Sequence, residues 1–261
     1  LAVAATLPKG SIKLEHRLLA IAKKSTGTYA LRFGTPHGNV TELFDRVVLA
    51  IPFITLRGVD YSQAGFDSLK IAAIEQLGYG MHTKLQVQFH DKPWYGAGPW
   101  ERPSTGQIWT DVGFQNSVDF SLGQSGSNGI IERFTAGTAG LIDTPPMPYA
   151  TIEQSDAVRR QVQKFFGQLD EMWPGVSKHW NGKATFGNAQ VDPNLQATYS
   201  CWLVGQYTKF AGYERAPQGR IHFAGEHCSV ENQGFMEGAA ATGIAAAREI
   251  LSDYNAKHKR A

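Results

Sequence analysis

Apolar and polar positions alternate along several stretches of this chain, which is the pattern of strands with one buried face. Over residues 84–89 the apolar side chains fall on one side, while a lysine and two glutamines fall on the other. Residues 18–22 and 29–33 flank a Thr-Gly turn signal and predict an antiparallel hairpin. Residues 46–51 are almost entirely apolar and precede a proline, so they predict a strand that is covered on both faces.

Helical spacing occurs in three places. Residues 66–77 carry apolar side chains at helical intervals and are followed by glycines that suit a helix exit. Residues 151–154 have the capping-box form, and the helical pattern after them continues to Trp173 and a Pro-Gly pair. A short strand over residues 221–223 runs into Gly225, and a long helix is predicted from about residue 234 to residue 254.

Composition narrows the class of protein. The chain has 261 residues, of which 42% are hydrophobic and 18% charged, and these values exclude a disordered or coiled-coil protein. The net charge of +2 comes from scattered basic residues, so no nucleic-acid partner is expected. Two cysteines are too few for a disulfide scaffold or a cysteine-built metal site, and no metal is expected. No apolar run reaches the roughly 20 residues of a transmembrane segment.

A search for chemistry leads to the last third of the chain. The sequence contains no Gly-x-Gly-x-x-Gly fingerprint, so it has no dinucleotide motif of its own. Residues 220–251 instead form a strand, a glycine turn, a polar loop and a helix. A helix amino terminus suits a phosphate or an anionic ring, and glycines allow a close approach of the backbone to a ligand. From the residues alone, cofactor binding and plain packing of the helix against a sheet both stay open.

The residues of this segment resemble a known family. Residues 219–227 (GRIHFAGEH) and 233–239 (QGFMEGA) closely resemble the carboxy-terminal FAD-binding segment of the flavin amine oxidases, which include monoamine, polyamine and L-amino-acid oxidases. Residues 45–52, 77–84 and 198–206 match further family segments in order along the chain. The resemblance covers essentially the whole chain, but only about the carboxy-terminal half of a full family member.

The resemblance implies where the flavin would lie. Lys84 matches the family lysine that bonds through a water to flavin N5 and assists hydride transfer or oxygen activation; the alternative is a surface lysine. Gly225 and Glu226 match the turn whose backbone reaches the pyrophosphate and ribityl chain. The implied cofactor-binding residues are Gly225, Glu226, Gly234, Phe235, Met236 and Ala239.

The same resemblance implies a substrate cage. Tyr199 and Phe235 match the two aromatic residues that flank the substrate amine, and Trp202 is an alternative wall. Plain core packing of Tyr199 and Trp202 is the other interpretation. Thr198 stands where monoamine oxidases carry the cysteine that attaches the flavin, and Cys201 lies three residues further on, so non-covalent FAD is expected.

The implied function is that of a carboxy-terminal portion, or a separate subunit, of an FAD-dependent amine or L-amino-acid oxidase. Hydride would pass from the amine-bearing carbon to flavin N5, and the imine would hydrolyse to an aldehyde or keto acid with ammonia. Oxygen would reoxidise the flavin and give hydrogen peroxide. The alternatives are a dehydrogenase or desaturase with another electron acceptor, and a non-catalytic binding or assembly remnant.

The expected partners are an amine or amino-acid substrate, oxygen and a companion polypeptide with the GxGxxG half; a homo-oligomer of the assembled unit stays open. The chain begins with leucine, so its true amino terminus is expected upstream or processed away, and the compartment is undetermined. Arg57 and Arg133 are present, but nothing in their sequence context marks either as a binder of a substrate carboxylate.

The predicted architecture is an α/β (α+β) fold with a partial FAD-binding domain of the amine oxidase type and a mixed-sheet substrate-binding domain. Residues 1–52 would end the first FAD-domain portion with its return strand. Residues 53–180 would form the substrate-binding domain. Residues 181–261 would supply the carboxy-terminal FAD-binding segment and helix, so the FAD domain would be discontinuous in sequence.

Overall fold

The computed structural model describes residues 2–96 and 102–258, which divide into two compact units. Unit 1 contains residues 1–78 and 200–261, and unit 2 contains residues 79–199. The helices are α1 (Ala2–Ala5), α2 (Phe53–Leu56), α3 (Ser68–Gln76), α4 (Asp156–Met172), α5 (Gln206–Phe210) and α6 (Met236–His258). The strands are β1 (Arg17–Lys23), β2 (Tyr29–Thr35), β3 (Gly38–Phe44), β4 (Val47–Leu49), β5 (Asp60–Gln63), β6 (Gly78–Tyr79), β7 (His82–Phe89), β8 (Gln107–Trp109), β9 (Asn116–Asp119), β10 (Gly129–Ala136), β11 (Tyr149–Thr151), β12 (Trp180–Asn188), β13 (Ser200–Cys201) and β14 (Ile221–Phe223).

Unit 1 contains a four-stranded sheet in the order β3-β2-β1-β5. Strands β1 and β2 pair antiparallel, which confirms the predicted hairpin, and β5 joins β1 in parallel. Tyr29 and Leu31 of β2 are buried, and the Tyr29 hydroxyl accepts a hydrogen bond from the Arg220 N–H at 3.1 Å. The hairpin is therefore fastened to the chain that enters β14.

Strands β4 and β14 form a separate parallel pair, with Val47 opposite Ile221 and Leu49 opposite Phe223. Both strands were predicted, but Val48 between them is 44% exposed, so β4 is not covered on both faces. All three residues of β14 are buried, and His222, opposite Val48, lies 3.0 Å from a Glu249 carboxylate oxygen of α6, so the open position is on β4 alone. A parallel pair this small is marginal by itself, because parallel sheets are normally larger and covered on both sides.

Helix α3 confirms the predicted helix and is anchored by a buried lysine. The Asp67 carboxylate accepts a hydrogen bond from the Lys70 N–H at 2.8 Å and caps the helix. The Lys70 ammonium donates to the carbonyls of Tyr213 and Glu214, each at 2.7 Å, and lies 3.9 Å from the Phe223 ring centroid. Burial lowers the pKa of Lys70 to about 8. These contacts place α3 in unit 1.

The unit boundaries consequently differ from the predicted domain boundaries. The sequence divided the chain after residues 52 and 180, whereas the structure divides it after residues 78 and 199. Residues 53–78 join unit 1 because α2 and α3 pack within it, and β12 joins unit 2 because it pairs with β7 and β11. Unit 1 is built from two separate stretches of chain.

Unit 2 is built on a six-stranded sheet in the order β11-β12-β7-β10-β9-β8. Its neighbouring strands all pair antiparallel, whereas a mixed sheet was predicted. Helix α4 packs on one face of the sheet, against β7 and β12. The apolar side chains of β7 point to that face and are fully buried, as the alternation predicted; they are Leu85, Val87 and Phe89.

The start of α4 differs from the predicted capping box. The Gln154 side chain does accept a hydrogen bond from the Thr151 N–H at 2.9 Å, as in such a box. The Gln154 N–H, however, bonds to the Thr151 carbonyl and closes a turn, and the helix begins only at Asp156, after Ser155. Its end at Trp173 agrees with the prediction. None of the helices in the described residues is long and apolar enough to cross a membrane.

Candidate active site

The open face of the unit 2 sheet carries Lys84, the predicted flavin-facing lysine. Lys84 lies on β7 opposite the core side, and its side chain is 46% exposed. Its ammonium is 3.4 Å from Oε1 of Glu132 on β10. The ring centroids of Phe120 and Phe134 lie 5.4 and 5.5 Å from the same nitrogen. One side of the ammonium is thus held by a carboxylate and two rings, while the other is open.

Glu132 was not predicted as a site residue, although it is among the most buried charged groups of the chain. It is 2% exposed, and its Oε2 accepts a hydrogen bond from Gln86 Nε2 at 2.7 Å. The signal in the sequence is a single acidic residue inside the otherwise apolar start of β10. Only the register with β7, which sets Glu132 opposite Gln86, shows that it faces the lysine side.

An aromatic row continues from Phe134 along the same unit. The His82 ring makes edge contacts with Phe134 and with Tyr199, at centroid distances of 4.7 and 4.6 Å. The Tyr199 hydroxyl is 3.3 Å from His82 Nδ1. Burial, with a smaller effect from Lys84, lowers the pKa of His82. Tyr199, predicted as a cage residue, therefore lies in a row with Lys84, and His82, which was not predicted, connects them.

A cavity of about 360 Å³ opens further along the sheet, where Gln86 and Gln88 of β7 line it. Phe120 and Gln86, which also neighbour the Lys84–Glu132 pair, line it together with Ile130 and Thr185. The lining combines apolar carbon with side-chain amide and hydroxyl groups, which is typical of sites for small organic molecules.

Unit 1 contributes the turn after β14. Gly225 has φ +142°, and a Cβ there would lie 2.5 Å from the His227 ring, so only glycine fits. The Glu226 carboxylate accepts hydrogen bonds from the Ser200 N–H and hydroxyl, both at 2.8 Å, and from the Gly234 N–H at 2.7 Å. The Glu226 side chain thus fixes the loop, and only the backbone of Glu226 is left for contact with a ligand.

Helix α6 begins beside this loop, two residues later than predicted. Phe235 is 69% exposed and Met236 is 91% exposed, and Ala239 on the same end is also exposed. Phe235 and Met236 are neighbours and form a small exposed apolar patch that a ligand or partner could cover. The first backbone N–H groups of a helix have no helical partners, and they carry partial positive charge.

The side chain of Trp202, the alternative cage wall, has packing and hydrogen-bond partners within unit 1. Its indole N–H donates to Glu214 Oε1 at 2.7 Å, and its ring meets Tyr207 edge-on at 5.0 Å. Glu214 is 1% exposed, and burial raises the pKa of its carboxyl. These contacts favour the packing interpretation of Trp202. The cage of Tyr199 and Phe235 stays a prediction, because Tyr199 belongs to unit 2 and Phe235 to unit 1.

The two arginines that the sequence left open have internal partners. Arg57 donates to the carbonyls of Ile74 and Leu77, at 2.9 and 2.7 Å, and closes the carboxyl end of α3. Arg133 is 6% exposed on the core side of β10 and donates to Gln161 Oε1 at 2.7 Å. Both guanidinium groups therefore have structural roles.

The structure also shows the surroundings of the residues on which the prediction of non-covalent flavin was based. The Thr198 hydroxyl donates to the Gly80 carbonyl at 2.8 Å within unit 2. Cys201 and Cys228 are free thiols, and burial raises the pKa of both. A thiol with a raised pKa is mostly protonated at neutral pH and is a poor nucleophile. This chemistry fits the predicted non-covalent cofactor.

His227 gives the loop a predicted pH dependence. It is 2% exposed, packs against Phe53 at 4.5 Å, and burial lowers its pKa from 6.5 to about 4. The unfolded chain therefore binds a proton at this residue more readily, so its stabilising contribution is complete above pH 6.5 and is lost as the pH falls towards 4. We expect a loss of about 2 kcal/mol of unfolding free energy between pH 7.5 and pH 5 from this group.

Urea unfolding of His227→Gln and wild type at pH 7.5 and pH 5 measures this effect. Between pH 7.5 and pH 5, the free energy of unfolding of the variant should fall by about 2 kcal/mol less than that of wild type, whatever the stability of the variant at pH 7.5. His37→Gln is the matched control, because His37 is exposed and should leave the difference unchanged. Equal losses in His227→Gln and wild type would contradict the prediction.

A flavin fits the residues present in unit 1. Gly225 has no Cβ to collide with the His227 ring, so the chain can turn tightly there, and Gln233 Nε2 is buried with no hydrogen-bond partner among the described residues. Phe235 and Met236 add an uncovered apolar surface at a helix amino terminus. Together these features offer backbone N–H groups, a side-chain donor and an apolar platform, which are what an anionic dinucleotide with a flat ring requires.

Three comparisons with known proteins agree with this assignment. Residues 1–251 match the family model for flavin containing amine oxidoreductases. YobN of Bacillus subtilis (strain 168), provisionally named an L-amino-acid oxidase, is 26% identical over 79% of this chain and 41% of its own length. Polyamine oxidase 5 of Oryza sativa subsp. japonica is 25% identical over 91% of this chain and 44% of its own length.

Solved structures share the fold. Cyclohexylamine oxidase from Brevibacterium oxydans IH-35A superimposes with a TM-score of 0.79 at 16% identity, over 97% of this chain and 51% of that protein. A triple mutant of putrescine oxidase superimposes with a TM-score of 0.75 at 15% identity, over 94% of this chain and 50% of that protein. The predicted α/β fold of the amine oxidase type is thereby confirmed, and the chain spans about half the length of the proteins it matches.

Proposed function

The chain belongs to the flavin containing amine oxidoreductase family, and we propose that it is the carboxy-terminal portion, or a subunit, of an FAD-dependent amine or L-amino-acid oxidase. When bound, FAD would supply a hydride acceptor for the amine-bearing carbon, and oxygen would take up the two electrons as hydrogen peroxide. The organic product is an imine, which water converts to an aldehyde or keto acid and ammonia.

The observation that carries this proposal is the position of Lys84. Its ammonium stands half-exposed on the open face of the unit 2 sheet, on the same strand as His82, and Phe120, which flanks it, also lines a cavity of about 360 Å³. A lysine in this position can hold a water molecule and move a proton to or from it. Tyr199 and Phe235 would flank the amine, and an apolar cage favours the neutral amine over its ammonium form.

The chain's own residues would also hold the cofactor. The backbone at Gly225 and Glu226 would contact the pyrophosphate and ribityl chain. The amino terminus of α6, at Phe235 and Met236, would stabilise negative charge that develops on the pyrimidine edge of the ring. No arginine, metal or cysteine is assigned a part in this arrangement.

A companion polypeptide with the GxGxxG half is part of the proposal, and the surface of unit 1 supports it. The parallel pair of β4 and β14 leaves Val48 exposed. Helix α6 exposes an apolar stripe at helical spacing over most of its length; the stripe comprises Met236, Ile244, Leu251 and Tyr254. A dinucleotide-binding βαβ unit would extend the parallel sheet and cover this helix, as parallel sheets require.

Purification from the native source tests the proposal. The visible absorption spectrum and the number of polypeptides are measured on the same sample. We expect flavin bands, released as free FAD on denaturation, together with polypeptide sequence that contains a GxGxxG motif. A single colourless chain that stays colourless after addition of FAD would overturn the proposal and favour a non-catalytic remnant.

A further inference from the structure

The Glu132 carboxylate occupies an unusual position in the unit 2 sheet. It is 2% exposed, yet it lies on the face of β10 opposite the apolar core. A buried carboxylate is costly unless charged or hydrogen-bonding partners surround it. Its two oxygens have different partners: Oε1 faces the Lys84 ammonium at 3.4 Å, and Oε2 accepts from Gln86 Nε2 at 2.7 Å.

The hydrogen bonds around Glu132 have a fixed direction. The Glu132 carboxylate can only accept, so the Gln86 amide turns its NH₂ group towards it, and Gln86 Oε1 then accepts from the Thr185 hydroxyl at 2.8 Å. The three residues stand opposite one another on neighbouring strands, with Thr185 on β12, Gln86 on β7 and Glu132 on β10. The chain of bonds therefore occupies one carboxylate oxygen and leaves the other for Lys84.

The pair is strongly asymmetric in its exposure. The Glu132 side chain is 2% exposed, whereas the Lys84 side chain is 46% exposed. The carboxylate thus lies beneath the ammonium. The ring centroids of Phe120 and Phe134 flank the ammonium nitrogen at 5.4 and 5.5 Å. The three groups hold the charged end of Lys84 in one place, with its open side away from the sheet.

We infer that Glu132, oriented by Gln86 and Thr185, is a positioning residue that fixes the Lys84 ammonium in place on the open face of the sheet. This inference deepens the proposed function, since it rests on Lys84 serving the reaction. Glu132 itself does not touch the reacting atoms and acts through Lys84. This role requires a negative charge at position 132. Glu132→Asp should therefore keep the role, and Glu132→Gln should lose it.

The first experiment does not depend on enzyme activity. The protein is treated with limiting acetic anhydride, and the acetylation rate of Lys84 is followed by peptide mass spectrometry. An ammonium held against a carboxylate is less free to reach the anhydride, so Glu132→Gln should raise the rate by about threefold to tenfold. Glu132→Asp should stay within about twofold of wild type. Thr185→Val, which preserves the strand but frees the Gln86 amide, should raise the rate in the same direction and by less.

A matched control uses the exposed ion pair of Lys13 and Glu42, whose nitrogen and oxygen are 2.6 Å apart. Both partners are solvated, so Glu42→Gln should change the acetylation rate of Lys13 by less than about twofold. Unchanged Lys84 acetylation in both Glu132→Gln and Thr185→Val would overturn the inference.

The second experiment measures both flavin half-reactions in the assembled protein. Glu132→Gln should slow the same half-reaction as Lys84→Met, by about tenfold, and Glu132→Asp should restore most of it. If acetylation rises while Lys84→Met leaves both half-reactions intact, Glu132 holds Lys84 as inferred and the proposed role of Lys84 fails. The two hypotheses are therefore tested separately.

Discussion

Replacing Lys84 with methionine should slow at least one flavin half-reaction, reduction by the amine or reoxidation by oxygen, by about a hundredfold. Methionine keeps the length and most of the apolar stem but removes the ammonium that lies 3.4 Å from Glu132. The loss is expected to be large because a proton carrier at a reacting water contributes about 10²-fold to 10⁴-fold. Stopped-flow absorbance of the assembled, flavin-loaded protein measures the two half-reactions independently.

The matched control for this variant is Lys164→Met. Lys164 is an exposed lysine of α4, on the opposite side of the unit 2 sheet from Lys84. It should leave both rates within about twofold of wild type. If Lys84→Met behaves in the same way as this control, Lys84 is a surface lysine and the proposed mechanism loses its central residue.

Local patterns in the sequence predicted most of the elements that position Lys84. The alternation over residues 84–89 requires Lys84 to face away from Leu85 and Val87, and both of these are fully buried. The strand, glycine turn and long helix after residue 220 also formed as predicted, because each depends on neighbours in the chain. The family resemblance then supplied the chemistry that such a pattern cannot specify.

Features that depend on strand pairing were not accessible in this way. Glu132 reaches Lys84 only because β10 pairs with β7 in one register, and His82 meets Tyr199 across 117 residues of chain. Periodicity specifies the face of a strand but not its neighbour. The antiparallel order of the unit 2 sheet and the exposure of Val48 were missed for the same reason, since both depend on which elements lie alongside.

Gly238→Ala, in the first turn of α6, should weaken flavin binding by about tenfold to a hundredfold. A Cβ on Gly238 would lie 2.3 Å from the Asn232 carbonyl oxygen and 3.0 Å from Ser229 Cβ. That carbonyl accepts the Phe235 N–H at 3.2 Å, so moving it disturbs the loop and the helix start together. Overpacking of this kind costs about 1–3 kcal/mol, and each 1.4 kcal/mol is tenfold in affinity.

The control is Gly167→Ala in α4, where a Cβ meets nothing within 4 Å. Alanine at such an exposed helical position should stabilise unit 2 by about 0.5–1 kcal/mol and leave flavin affinity unchanged. FAD titration by flavin fluorescence and thermal unfolding of both variants give the comparison. Equal FAD affinity in Gly238→Ala and Gly167→Ala would show that the contact between Gly238 and Asn232 does not set the helix start. The assignment of Phe235 and Met236 to the cofactor would then lose its structural basis.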